Sequence, residues 1–229
     1  ELFVDGKTAD EVRRETEFKH VYEAEKRATG ALIAYYAQSM EAPFTAVVEG
    51  VKDFARADAK RLTLRERLRA KAISSLHRSN EKMYVEAGYI HYPLYRYLRR
   101  ELGDKDKIRV AYLLAPVIKK LQGKRRNMGP GDILTLHYAF HGRLREELAN
   151  MLAARSLIYI KLIEKEEIIS GKSETPHAED EVKVNRLVDR LNFNQCRELF
   201  ERIRLSKRAE AVELAQEYLK KTLGTKDRH

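Results

Sequence analysis

Apolar residues recur at helical spacing along most of the chain, and runs that alternate between apolar and polar residues are nearly absent. A stretch from 133 to 169 contains no proline and a single glycine, with Asp132 before it as an N-cap candidate. Between Leu148 and Ile163 the sequence is apolar nearly all round a helix, which is typical of a helix packed on several sides. The pattern predicts an all-α protein, a multi-helix bundle around one long central helix at about 133–169.

Capping residues and prolines divide the rest of the chain into shorter helices. Thr8 and Glu11 have the spacing of a capping box for a first helix, and Pro43 restarts the chain at a helix N-terminus. A second capping box at 63–66 predicts a new helix there.

Two further prolines and a polar connector mark the remaining boundaries between the predicted helices. Pro93 indicates another helix start, and Pro116 lies inside a helix predicted over 106–122, which it should kink. After a polar connector at 170–180, shorter helices close the chain. The sequence thus predicts an N-terminal helical region at 1–131 and a second region at 132–229, with one continuous domain as the alternative.

The net charge of +10 is concentrated in one third of the chain. Residues 1–59 carry a net charge of −4, residues 60–131 carry +13, and residues 132–229 carry +1. Such an asymmetry is typical of a protein that binds a polyanion. Within the basic third, Arg61, Arg65 and Arg69 lie four residues apart on one helix face, where like charges repel. We expect an anionic partner to relieve that repulsion.

Lysine and arginine side chains bind nucleic acids by neutralising phosphates and releasing counterions. Tyrosines alternate with arginines at 89–100, and aromatic rings of this kind can stack on exposed bases. The alternative to nucleic-acid binding is a solvated basic surface over tyrosines that pack inward. The residues predicted to contact phosphates are Lys60, Arg61, Arg65, Arg67, Arg69, Lys71, Arg78, Arg96, Arg99, Arg100, Lys119, Lys120, Lys124, Arg125 and Arg126.

Two histidine patterns raise the question of a metal site. His137 and His141 share a helix face, a spacing that can bind zinc, but Tyr138 stands where a metalloprotease has glutamate. Glu17 and His20 have the Glu-x-x-His spacing of di-iron bundles, which need a second such pair. We therefore predict no metal and no cofactor, with His137 and His141 as the weak candidates.

The remaining sequence features concern enzyme motifs, the cellular compartment and a possible membrane span. No glycine-rich phosphate loop, serine nucleophile elbow or zinc-binding cysteine set is present. A lone cysteine, Cys196, favours a reducing cytoplasm, and a charged fraction of 35% resembles that of heat-adapted proteins. Arg155 and Lys161 interrupt the apolar run at 148–163, which argues against a membrane span. If Arg155 is buried, it requires a carboxylate or carbonyl partner.

The leading hypothesis is a non-enzymatic nucleic-acid-binding protein, a subunit of a replication, repair, defence or packaging assembly. A helical protein-interaction or scaffold subunit is the alternative, with the acidic N-terminal third or Arg155 at an interface. A metal-dependent enzyme using His137 and His141 is the third possibility. The pattern leaves open whether the nucleic acid is DNA or RNA, and single- or double-stranded.

Overall fold

The computed structural model describes residues 16–78, 81–103, 107–123, 127–168 and 173–223. Over these ranges the chain forms α-helices joined by turns and loops, with a 3-10 turn at Tyr89–His91 and no β-strand. The all-α prediction is confirmed. The helices are α1 (Thr16–Glu41), α2 (Phe44–Leu76), α3 (Tyr92–Leu102), α4 (Ala115–Gln122), α5 (Pro130–His141), α6 (Glu146–Leu162), α7 (Pro176–Asp189), α8 (Phe193–Ile203) and α9 (Arg208–Leu223).

The long central helix predicted at 133–169 is in fact two helices, α5 and α6, and that prediction is wrong. Gly142 ends α5 with a φ of 68°, a left-handed conformation that glycine adopts without steric cost. Its N–H donates to the carbonyl of Tyr138 at 3.0 Å, which closes the last turn. Extended backbone at Ile163 (ψ 141°) ends α6 before the predicted terminus.

Two other predicted boundaries are also wrong. The capping-box pattern at 63–66 lies in the middle of α2, whose continuous hydrogen bonding leaves no N-terminus there to cap. Pro116 lies in the first turn of α4, where its missing N–H costs nothing, so it starts a helix instead of kinking one. Helix starts at Pro43 and Pro93 are confirmed, and Thr8 and Glu11 lie outside the described residues.

The chain divides into two compact units, each assembled from three segments. The first unit comprises Glu1–Ile33, Asp53–Tyr112 and Thr135–Arg143, and the second comprises Ala34–Lys52, Leu113–Leu134 and Leu144–His229. The predicted division between 131 and 132 stays a prediction. In the first unit, Ala70 of α2 packs against two leucines of α3, with flanking contributions from Ile73, Tyr97 and Ile108. The two leucines are Leu94 and Leu98.

Helix α6 is the centre of the second unit, where it packs against α7, α8 and α9. Ala153, Ala154 and Ile158 on α6 are fully buried, which explains why its sequence is apolar nearly all round. Phe44 adds an aromatic cluster to this unit, with its ring centroid 5.4 Å from that of Phe193 and 5.5 Å from that of Phe200.

Arg155 of α6 binds the C-terminal end of α7. Its guanidinium donates to the carbonyl of Asp189 at 2.6 Å and to the carbonyl of Leu191 at 3.0 and 3.1 Å. The last carbonyls of a helix carry partial negative charge and lack intrahelical partners, so a cation there is favourable. Arg155, which interrupts the apolar run of the sequence, is partly buried and has the carbonyl partners that a buried guanidinium requires.

Other cations of the second unit also donate hydrogen bonds to backbone carbonyls at the C-terminal ends of helices. Lys161 donates to the carbonyls of Arg204 and Ser206 after α8, at 3.1 and 2.7 Å. Arg204 donates to the carbonyls of Ser39 and Ala42 around the end of α1, both at 3.1 Å. Lys161 and Arg204, like Arg155, thus bind helix ends of their own unit.

Lys52 is a buried cation with acidic neighbours. Its side chain is fully buried, and Nζ donates to Glu49 Oε1 at 2.7 Å, to Asn150 Oδ1 at 2.8 Å and to Glu146 Oε1. Burial lowers the pKa of Lys52, but the hydrogen bonds and charges of Glu146 and Glu49 outweigh it, so the pKa is raised above its ordinary value. Lys52 thereby ties α2 to α6 within the second unit.

We expect Cys196 to be unreactive in the folded protein. Its side chain is fully buried, and that burial raises the pKa of the thiol to about 12, against a smaller opposing effect of Arg155. Because the thiolate is the nucleophile, labelling by a disulfide reagent at pH 8 should be roughly 1000-fold slower than for a small thiol. Denaturant should restore the ordinary rate, whereas fast labelling of the native protein would contradict this burial.

No helix in the described part of the chain is both long and apolar enough to cross a membrane.

Candidate nucleic-acid interface

The cations of the basic third that lie on helix α2 are found on two different sides of that helix. Leu62, Glu66 and Ala70 mark its buried line. At about 100° per residue, the other charged positions fall on opposite flanks of that line. The groove arginines, on one flank, are Arg61, Arg65 and Arg69. The outer cations of α2, on the other flank, are Lys60, Arg67 and Lys71.

Each groove arginine faces a carboxylate of the first unit. Their nitrogens lie 2.6 to 3.4 Å from these oxygens, and the pairs are Arg61–Asp58, Arg65–Glu25 and Arg69–Glu66. The expectation that these arginines repel one another without compensation is wrong, because Glu25 of α1 and two acids from the preceding turn of α2 lie beside them. A polyanion is therefore not needed to make this row of arginines stable.

Glu66 links α2 to the 3-10 turn. Its side chain is fully buried, and Oε1 lies 2.9 Å from His91 Nδ1 and 3.0 Å from Arg69 Nη1. A carboxylate oxygen accepts and does not donate, so the contact with Glu66 is a hydrogen bond when the imidazole proton is on Nδ1. Arg69 Nη1 lies 3.1 Å from the same Nδ1. Oε2 is buried and has no hydrogen-bond partner among the residues that the structure describes. Glu66 thus fixes the ring of His91 and the guanidinium of Arg69 together.

A groove of about 370 Å³ lies over these groups. Three arginines and His91 contribute to its walls, together with a single acid, Asp58. Its lining residues are Asp58, Arg61, Leu62, Arg65, Arg69, Ile90 and His91. The groove is polar and brings together side chains that lie more than twenty residues apart in the sequence.

The outer cations of α2 are all exposed. Glu66 is the only acidic residue between Ala59 and Arg78, and it is buried, so the exposed formal charge of this stretch is entirely positive. The guanidinium carbon of Arg67 lies 5.5 Å from the ring centroid of Tyr97 on α3, a cation–π contact that holds it beside that helix.

Helix α3 adds three exposed cations, Arg96, Arg99 and Arg100. Arg100 lies three residues beyond Tyr97, so the two share one side of α3. The guanidinium carbon of Arg96 lies 6.0 Å from the ring centroid of Phe140. Arg99 and Arg100 also suit the last helical turn, where cations interact favourably with the dipole. Arg96 and Arg100 lie four residues apart and share a face of α3, whereas Arg99 lies on another side of that helix. We name the outer cations of α2 together with Arg96 and Arg100 the outer face.

The other residues predicted to contact phosphates belong neither to the groove nor to the outer face. Arg78 is exposed, and its Nη1 is 3.7 Å from Glu81 Oε1. Lys119 and Lys120 are exposed in the last turn of α4 and belong to the second unit. The basic residues Lys124, Arg125 and Arg126 lie outside the described part of the chain.

Two of the tyrosines at 89–100, Tyr92 and Tyr95, pack on other rings. Tyr92 lies 5.8 Å from Phe140 in an edge-on arrangement and 6.3 Å from Tyr95, measured between centroids. Tyr97 is part of the α2–α3 core. Tyr89 is 39% exposed. Inward packing of Tyr92 and Tyr97 leaves less aromatic surface for base stacking than the sequence suggested.

His137 and His141 have no further metal-ligating side chain beside them among the described residues. The rings of His137 and His141 lie 5.8 Å apart between centroids. Among the described residues, no group of three or more His, Cys, Asp or Glu side chains could hold a metal ion. His20 is exposed, and the side chain of Glu17 lies outside what the structure describes.

Comparison with known proteins gives one distant relationship and no function. The chain is 32% identical over 185 residues to an uncharacterized protein of Archaeoglobus fulgidus. The alignment covers 80% of this chain and 63% of that protein, so the chain spans less than two thirds of its relative. No protein-family model matches, and no solved structure matches. The relative's name attributes no activity or partner to it.

Sequence reasoning missed the groove and the carbonyl-binding cations. The groove needs Ile90 and His91 beside α2, and these residues are remote from the groove arginines in sequence. An available signal was the solitary Glu66 among many cations, since a lone acid in a basic helix is often a buried partner.

Proposed function

We propose that the protein binds nucleic acid through the outer face and catalyses no reaction on it, as a subunit of a larger nucleic-acid assembly. The observation that carries this proposal is the run of exposed cations on α2 without an exposed carboxylate between Ala59 and Arg78. Arg67 contacts Tyr97 on the side of α3 that also carries Arg100, which supports a basic surface that includes both helices. A row of cations of this kind gains free energy when phosphates replace its condensed counterions.

Contacts of this type fix a protein on the phosphate backbone without reading base edges. The inward packing of Tyr92 and Tyr97 argues further against extensive base stacking. We therefore expect affinity that depends on phosphate density and hardly on sequence.

Salt dependence tests this proposal. Fluorescence anisotropy with single- and double-stranded DNA and RNA should show binding whose affinity falls roughly 1000-fold between about 50 and 200 mM salt, the loss typical of about six phosphate contacts. The four ligands also establish which nucleic acid is preferred. Absence of binding to all four, or affinity that salt leaves unchanged, would rule the proposal out.

A protein-interaction subunit is the second candidate. Met83, Tyr84 and Val85 lie in a non-helical segment and expose apolar surface, with Tyr84 80% exposed. Single exposed apolar residues are ordinary, but three in succession suit a protein contact. A partner that remains bound after nuclease treatment and is lost on Tyr84→Ser would favour this function. Arg155 no longer supports an interface, because its guanidinium binds carbonyls of its own chain.

A further inference from the structure

We propose that the groove beside α2 binds a terminal phosphate or pyrophosphate group. This inference does not depend on the proposed function, because the groove arginines and the outer cations of α2 lie on opposite flanks of that helix. The groove walls carry three arginines and one aspartate, with His91 as a further polar group. Arginine N–H groups match phosphate oxygens in geometry and charge.

The length of the arginine row favours a phosphate chain or a terminal group over a lone carboxylate. Arg61 and Arg69 are eight residues apart, so the row extends on the order of 12 Å along the helix. A monocarboxylate is too short to meet more than part of it. A pyrophosphate, or a phosphate joined to a nucleotide, presents several charged oxygens along one direction.

The carboxylates near the arginines leave room for such a ligand. Arg65 Nη1 is 3.4 Å from Glu25 Oε1, the longest of the three pairs, and the Glu25 side chain is 42% exposed. A phosphate dianion carries more charge than this half-exposed carboxylate and can replace it, while Glu25 turns to water. Glu66 stays buried and holds His91 and Arg69 in place. The surroundings also favour anions, because residues 53–112 contain 15 Lys and Arg but 8 Asp and Glu.

The first measurement uses the unmodified protein and inorganic pyrophosphate. Nitrogen and proton NMR signals of the His91 imidazole should shift in a saturable way on titration, and those of exposed His20 should not. Saturation is expected at about millimolar concentration or below. An unchanged His91 signal up to about 10 mM pyrophosphate would overturn the proposal.

Two matched variants then test the groove. Arg65→Gln removes a groove arginine and Arg67→Gln removes an outer cation, with the same change in charge two residues away. Arg65→Gln should weaken pyrophosphate binding roughly 10-fold, the loss expected for a charge-assisted contact, whereas Arg67→Gln should change it less than about 2-fold. Circular dichroism melts check that both variants fold. Equal effects of the two variants would count against the groove as the site.

A pair of oligonucleotides distinguishes the source of the phosphate. A 5′-phosphorylated strand that binds more tightly than its 5′-hydroxyl counterpart, with the difference lost in Arg65→Gln, identifies the end of a nucleic acid. Equal binding of the two strands, with Arg65-dependent binding of a mononucleotide, identifies a small phosphorylated molecule. If neither strand binds at all, the proposed function fails, and the pyrophosphate result still decides the groove.

Discussion

Replacing Arg67 and Lys71 with glutamate is expected to lower nucleic-acid affinity roughly 100-fold, because two phosphate contacts become two repulsions. Both side chains are exposed on the outer face. The slope of log affinity against log salt should become shallower by roughly two contacts. Surface changes of this kind alter the free energy of unfolding by about 0.5 kcal/mol, with slightly more for the lost packing of Arg67 on Tyr97. Anisotropy titrations at fixed salt, beside a thermal melt, measure both effects.

The matched control is Lys119→Glu with Lys120→Glu, which makes the same change in net charge on exposed residues of α4. If binding depends on the outer face, this control should retain most of the affinity. Equal losses in the two double variants would show that only net charge matters, and the outer face would no longer be a binding surface. Retained affinity in Arg67→Glu with Lys71→Glu would exclude it directly.

Replacing Arg155 with methionine is expected to destabilise the protein by about 3 kcal/mol. The methionine keeps the apolar stem but leaves the carbonyls of Asp189 and Leu191 without the charged donor that binds them. For a chain of this size, the loss corresponds to a decrease in melting temperature of about 6–12 °C. Calorimetry or a melt followed by circular dichroism measures it.

Two further variants separate the causes of this loss. Arg155→Lys keeps the charge near the end of α7 but not the planar fork, so an intermediate loss of about 1–2 kcal/mol is expected. Lys183→Met removes an exposed cation from α7 and should change stability by no more than about 0.5 kcal/mol. If Arg155→Met melts like Lys183→Met, the carbonyl contacts contribute little.

The helical pattern predicted the class of fold and several helix ends correctly. Pro43 and Pro93 precede or open helices as expected. Gly103 ends α3 and Gly123 ends α4, with φ of 70° and 74°. These features depend on local backbone preferences, which the sequence records directly. Gly142 is a helix-ending glycine of the same kind, but the long apolar pattern around it predicted one uninterrupted helix. In the structure Gly142 adopts a left-handed conformation and ends α5.

The sequence by itself determined that the protein is helical, that its apolar positions suffice for a core, and that its positive charge is concentrated between 60 and 131. Only the tertiary structure decided how each cation is used. It paired Arg65 with Glu25 of α1, placed His91 against Glu66, directed Arg155 to carbonyls, and left the outer cations of α2 exposed. The physical reason is that the effect of a charge depends on neighbours within a few ångströms, and folding brings those neighbours from distant parts of the chain.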